Sequence, residues 1–132
     1  MRIMLDTNIF ISMIFFPSEK MQLLKTKLSK YHRIVICSYV IDELSEVIKR
    51  KFSHKQKLLD EFFIELPYEM IYTPTVINTD GLYEIRDVDD EKVLYSAIMA
   101  DVDVLLTGDK DFSDIDIERP EILTPSEFLE KY

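Results

Sequence analysis

The chain has a single cysteine, Cys37, so no internal disulfide can form, and no cluster of Cys and His marks a zinc site. Only 2 of its 132 residues are glycine and 5 are proline, which leaves little material for long flexible linkers. No apolar run approaches the roughly 20 residues of a membrane span. Met1-Arg2-Ile3-Met4-Leu5 is too short for the core of a secretion signal, and Asp6 interrupts it. A soluble protein of the cytoplasm is expected. Cys37 ends the apolar run Ile34-Val35-Ile36-Cys37 and reads as a small buried hydrophobe.

Hydrophobic residues make up 47% of the chain, enough for one core without staples, and residues 1–132 read as one domain. The net charge of −9 argues at first against a nucleic-acid partner. Its distribution changes that reading. Residues 1–57 carry eleven Lys/Arg against five Asp/Glu, whereas residues 58–132 carry five against twenty. The basic part includes Lys25, Lys27, Lys30 and Arg33, then Lys49, Arg50 and Lys51. Such asymmetry fits a basic flank, suited to an RNA backbone, beside an acidic site; it also fits two ordinary solvated helix faces.

Short apolar runs alternate with helical patterns. Ile3–Leu5, Ile34–Cys37, Glu69–Tyr72, Val102–Leu106 and Glu121–Leu123 read as strands. Glu19–Ser29, Ser38–Lys51, His54–Leu66 and Asp89–Ala100 read as helices, and a last helix is expected after Thr124-Pro125, where Thr124 caps and Pro125 suits the first helical position. Strands alternating with helices predict an α/β fold with a mainly parallel sheet covered on both faces. Sites in such sheets form beyond the carboxyl ends of the strands.

Four carboxylates point there. Asp6 directly follows the first strand, although it could simply cap the helix after it. Asp109, in Thr107-Gly108-Asp109-Lys110-Asp111, stands in the same relation to another strand, with Asp111 as a second acid. Glu43 lies about 100° from the centre of the stripe formed by Val40, Ile41, Leu44, Val47 and Ile48, at the border of the buried face. Asp42 and Glu46, about 160° away, are expected to face water. Asp90 falls within about 10° of the centre of the face made by Val93, Leu94, Ala97 and Ile98. A carboxylate aimed at a core is costly unless it is paired, binds a cation, or caps its helix. Asp87, Asp89 and Glu91 crowd the same turn. No Lys or Arg obviously interleaves the four acids, so a divalent cation is the economical counter-charge, and all-oxygen ligands favour Mg²⁺ or Mn²⁺ over zinc.

Leu5-Asp6-Thr7-Asn8-Ile9, Val40-Ile41-Asp42-Glu43-Leu44, Arg86-Asp87-Val88-Asp89-Asp90-Glu91-Lys92-Val93-Leu94 and Leu106-Thr107-Gly108-Asp109-Lys110-Asp111-Phe112 resemble, in order, the four motifs of PIN domains. Ile122-Leu123-Thr124-Pro125-Ser126-Glu127-Phe128-Leu129 resembles the closing segment of the VapC-like subgroup, the toxin components of bacterial toxin–antitoxin pairs. The resemblance spans essentially the whole chain. It implies a three-layer α/β/α sandwich and a metal-dependent endoribonuclease. Asp6, Glu43, Asp90 and Asp109 would be its metal ligands and catalytic acids, with Asp87, Glu91 and Asp111 as alternatives at the third and fourth motifs. Thr7, Asn8 and Thr107 match polar motif positions suited to support, and Ser12 lies one turn beyond Asn8. A cognate antitoxin and a homodimer are implied as partners.

Three other readings fit the sequence less well. A phosphatase of the haloacid dehalogenase type needs a second Asp where this chain has Asn8, and a response-regulator receiver needs an acidic pair where it has Asp6 alone. A PIN-like scaffold that binds RNA or a protein without cutting has no need of the four acids.

Overall fold

The computed structural model describes residues 1–78, 88–109, 112 and 115–132. Five strands, β1 (Arg2–Leu5), β2 (Arg33–Cys37), β3 (Tyr68–Ile71), β4 (Val104–Leu106) and β5 (Glu121–Leu123), form one parallel sheet in the order β3-β2-β1-β4-β5. The helices are α1 (Thr7–Phe15), α2 (Glu19–Tyr31), α3 (Ser38–Lys51), α4 (Gln56–Glu65), α5 (Val88–Met99) and α6 (Pro125–Lys131). Ile3, Met4 and Leu5 of β1 are wholly buried, as are Val35 and Ile36 of β2 and Leu105 and Leu106 of β4. Successive strand residues point to opposite faces, so helices cover the sheet on both sides, and the three-layer α/β/α sandwich is observed.

Most elements lie where the hydrophobic pattern places them. Ser38–Lys51 is helical end to end, and Thr124 caps α6 by accepting from the Glu127 N–H at 3.2 Å, with Pro125 in the first turn. The segment expected as a helix over His54–Leu66 divides into a 3-10 turn, Ser53–Lys55, and α4. The strand expected from Val102 begins at Val104 because the end of α5 occupies the preceding residues. Asp101 has φ 52°, its N–H donates to the Ile98 carbonyl, and the Val102 N–H donates to the Ala97 carbonyl. That is a left-handed helix stop, usually made by glycine. Cys37 is fully buried, as its sequence context predicts. Of the apolar residues on α2 and α4, Met21, Leu24 and Phe62 belong to the core, whereas Leu58 is exposed.

Connections run outward from β1 in both directions, to β2 and β3 on one side and to β4 and β5 on the other. This reversal opens a crevice above the carboxyl ends of β1 and β4. The amino edge of the sheet is closed instead by ion pairs. The Arg2 guanidinium meets Glu69 at 2.8 and 3.1 Å, the Arg2 N–H donates to Asp103 at 2.8 Å, and Arg119 bridges Asp101 and Asp103 at 2.8 and 3.0 Å. The side-chain bond from Arg2 holds Glu69 below the ordinary carboxylate range, and the Arg2 backbone N–H does the same for Asp103. These groups stabilise the fold above their unfolded pKa values, and that contribution is lost as pH falls through the folded ones.

Candidate active site

Asp6 leaves β1 at its carboxyl end and stands immediately before α1. Its Oδ1 accepts from the Thr7 N–H at 2.7 Å, and its Oδ2 accepts from the Thr107 hydroxyl at 3.0 Å. Thr107 follows β4, the strand that pairs with β1, and its Oγ1 in turn accepts from the Asp109 N–H at 3.0 Å. One hydroxyl thus fixes Asp6 and the backbone of Asp109 together. Asp6 is only 6% exposed. Burial pushes its pKa up, the two hydrogen bonds oppose that rise, and repulsion from Glu43 and Asp109 adds to it. Asp6 therefore both begins a helix and carries the electrostatic burden of a site.

Glu43, on α3, is half-buried, and its Oε2 accepts from the Tyr39 hydroxyl at 2.8 Å. Asp90 lies in the first turn of α5, half-buried, with its Oδ2 shielded from solvent. Asp6, Glu43, Asp90 and Asp109 all line one open cavity of about 650 Å³, shared with Thr7, Asn8 and Ile11 of α1. Thr7 is 3% exposed and its Oγ1 is buried without a hydrogen-bond partner. Among the described residues no three His, Cys, Asp or Glu side chains form a ready-made ion-binding group. The oxygen-only donors and the orphaned Thr7 hydroxyl suit a hard divalent cation such as Mg²⁺ or Mn²⁺.

The PIN domain family model matches residues 2–111. The chain belongs to the PIN domain family. No curated protein matches it. A solved structure with the same fold is that of VapBC2 from Rickettsia felis bound to a DNA fragment from their promoter; one of its chains superposes with a TM-score of 0.73 at 24% identity, over 94% of this chain and 98% of that one.

Around the four acids this PIN domain differs from the sequence expectation in several ways. Asp42 and Glu46 are exposed as expected, yet both also line the cavity, as does Asp89. Tyr39, which the sequence reading passed over, is the hydrogen-bond partner of Glu43. Its signal was its place one turn before Glu43 on the same helix face. Cations lie at the same cavity: Arg50 and Lys51 line it, and Lys92 lies 3.7 Å from Asp89, beside the four acids. Lys49 lines a shallow groove beside it with Asp42, Ser45, Glu46 and Arg50.

The other basic candidates are not brought here. Lys25 lies over the Phe62 ring, 5.1 Å from its centroid, in a separate groove with Met13 and Met21. Lys27 and Lys30 follow on α2, which leads to the amino end of β2, where Arg33 lies 3.9 Å from Glu69. Ser12 is half-buried on α1 outside the cavity lining, and Thr107 acts through Asp6 and Asp109. Asp87 and Asp111 lie outside the described residues. Neither histidine approaches the cavity: His32 packs edge-on to Phe128 beside the terminal amine, and His54 is exposed in the 3-10 turn.

Proposed function

We propose that this PIN domain is a metal-dependent endoribonuclease that hydrolyses RNA phosphodiester bonds with Mg²⁺ or Mn²⁺, and that it is the toxin component of a toxin–antitoxin pair. The observation that carries the reading is the gathering of Asp6, Glu43, Asp90 and Asp109, from four different elements, along one cavity at the point where the strand order reverses. Family membership and the likeness of fold to a chain of the VapBC2 structure support it. A cognate antitoxin and a homodimer are the partners proposed, with one domain over 1–132 and a cytoplasmic location. No helix among the described residues is long and apolar enough to cross a membrane.

The four acids would hold the cation, with Thr7 and Asn8 beside them. A bound divalent cation neutralises charge on the phosphodiester and acidifies the attacking water. Without it the acids repel the substrate, so they also make binding depend on metal. Thr107 keeps Asp6 oriented, and Arg50 and Lys51 at the cavity wall face the RNA backbone.

The reading is tested by incubating the purified chain with a mixed RNA pool in Mg²⁺, Mn²⁺ or EDTA, beside an Asp6→Asn/Asp90→Asn variant shown to be folded. Cutting that needs metal and disappears in the variant is expected. Equal cutting by the variant would place the activity elsewhere. No cutting by partner-free protein would favour a binding scaffold. For Arg50→Ala/Lys51→Ala, RNA binding should weaken evenly across sequences. The slope of log affinity against log salt should shrink by about 1.4, the share of two phosphate contacts on a single strand. A filter-binding series over salt reads this directly, and an unchanged slope would remove both residues from the RNA path.

A further inference from the structure

Tyr39 stands where three bracing contacts meet. Its hydroxyl donates to Glu43 Oε2 at 2.8 Å, one turn along α3. Its ring lies under the Lys92 ammonium of α5, 4.9 Å from the centroid, and Lys92 is itself held by Asp89 at 3.7 Å. Its backbone N–H donates to Thr73 Oγ1 at 3.2 Å, and the Thr73 hydroxyl in turn lies 3.1 Å from the Ser96 hydroxyl of α5, to which it can donate. Ser96 is wholly buried, and its hydroxyl also lies 2.7 Å from the Lys92 carbonyl. The Thr73 N–H closes the link by donating to Ser38 Oγ at 2.9 Å. Side chain and backbone of one residue therefore tie α3, which bears Glu43, to α5, which bears Asp90.

A glutamate has three side-chain torsions to fix, and at the border of a helix face little else restrains them. A carboxylate has about four lone-pair positions, so one hydroxyl bond leaves acceptor capacity for an ion. Partners behind a ligand commonly decide how well it binds metal. Resting on the metal-nuclease reading above, we infer that Tyr39 is a positioning residue that presets Glu43 for a divalent cation, and that Lys92 clamps the phenol from α5. Tyr39 itself does not touch the ion or the substrate in this role.

The test is Tyr39→Phe in the full chain, stripped of metal with a chelator and titrated with Mn²⁺ by calorimetry, with melting followed in EDTA. The hydroxyl is removed while the ring and its packing stay. Mn²⁺ affinity should fall about tenfold with the EDTA melting temperature essentially unchanged. Lys92→Gln/Asp89→Asn is the independent arm: it removes the ammonium and its paired carboxylate together, so the local net charge is unchanged, and should weaken Mn²⁺ about two- to fivefold. If Tyr39→Phe does not fold, this double variant decides alone. Wild-type Mn²⁺ affinity in a folded Tyr39→Phe would overturn the role of Tyr39 while leaving the metal site intact. A lower melting temperature with unchanged affinity would assign Tyr39 to packing only. If the wild-type chain binds no Mn²⁺, the metal reading fails, and this inference with it.

Discussion

Asp6→Asn is expected to destroy activity and strengthen the fold at once. A ligand supplied by Asp6 itself should cost more than the 10- to 100-fold typical of the groups behind a ligand. In the metal-free protein the effect reverses. The carboxylate is buried, and burial followed by repulsion from Glu43 and Asp109 raises its pKa despite the bonds from Thr7 and Thr107. The folded state therefore binds the Asp6 proton more tightly than the unfolded chain does. Stability from this group is present below the unfolded pKa and is lost as pH rises through the folded one. Asparagine removes that loss and keeps an oxygen for the Thr7 N–H. In EDTA at neutral pH the variant should gain about 1 kcal/mol, as relieved active-site groups commonly do. That corresponds to about 3–5 °C in melting temperature for a chain of this length. The gain should shrink on acidification towards the unfolded value of Asp6. Added Mn²⁺ should reverse the ranking, since only the wild type gains from it, by about 2.7 kcal/mol at a hundredfold excess over its dissociation constant. A variant less stable than wild type in EDTA at pH 7 would mean that Asp6 serves the fold as a cap more than the site as a ligand.

How much of this was legible in the sequence depends on what each residue needs from its neighbours. Asp6 and Asp109 were legible because a strand end fixes them locally. Glu43 was legible because the apolar stripe of α3 orients that helix against the sheet. The same wheel placed Asp42 and Glu46 in water, where they are, but not at the cavity rim that they also line. An angle measured from the helix's own stripe says nothing of how wide a cavity opens beside it. Thr107 is different again: its bond to Asp6 requires β4 to lie next to β1, and strand order is not written in local periodicity. The basic residues from Lys25 to Arg33 share a sign with Arg50 and Lys51 but not a sheet edge, and a running charge count cannot tell the two edges apart. Helix α1 was hidden for another reason. Ile9, Phe10, Met13, Ile14 and Phe15 are all buried. A helix apolar on most sides shows no clear periodic stripe, so Asp6 as a cap was its only signal.

That helix carries the largest stability effect expected. Phe10 is wholly buried on α1, and its ring meets Phe62 of α4 edge-on at 6.2 Å and Phe63 at 5.8 Å. Phe10→Ala should cost about 3–5 kcal/mol, the loss of a large buried ring plus the cavity left behind. A domain's whole stability is about 5–15 kcal/mol, so the variant should sit close to its unfolding threshold at 37 °C. Urea unfolding in EDTA checks this. Ile64→Ser on α4, where the side chain is 83% exposed, is the control and should move the free energy by less than about 0.5 kcal/mol. Phe10 does not line the acid cavity, whereas Asn8 and Ile11 of the same helix do. Mn²⁺ should therefore still bind the folded fraction of Phe10→Ala, raising its unfolding free energy, and with it the urea midpoint, by about as much as in wild type. Recovery by metal would separate a weakened scaffold from a damaged site. A Phe10→Ala protein that Mn²⁺ cannot restore, though folded at low temperature, would show that α1 packing sets the position of the acids as well as holding α4 in place.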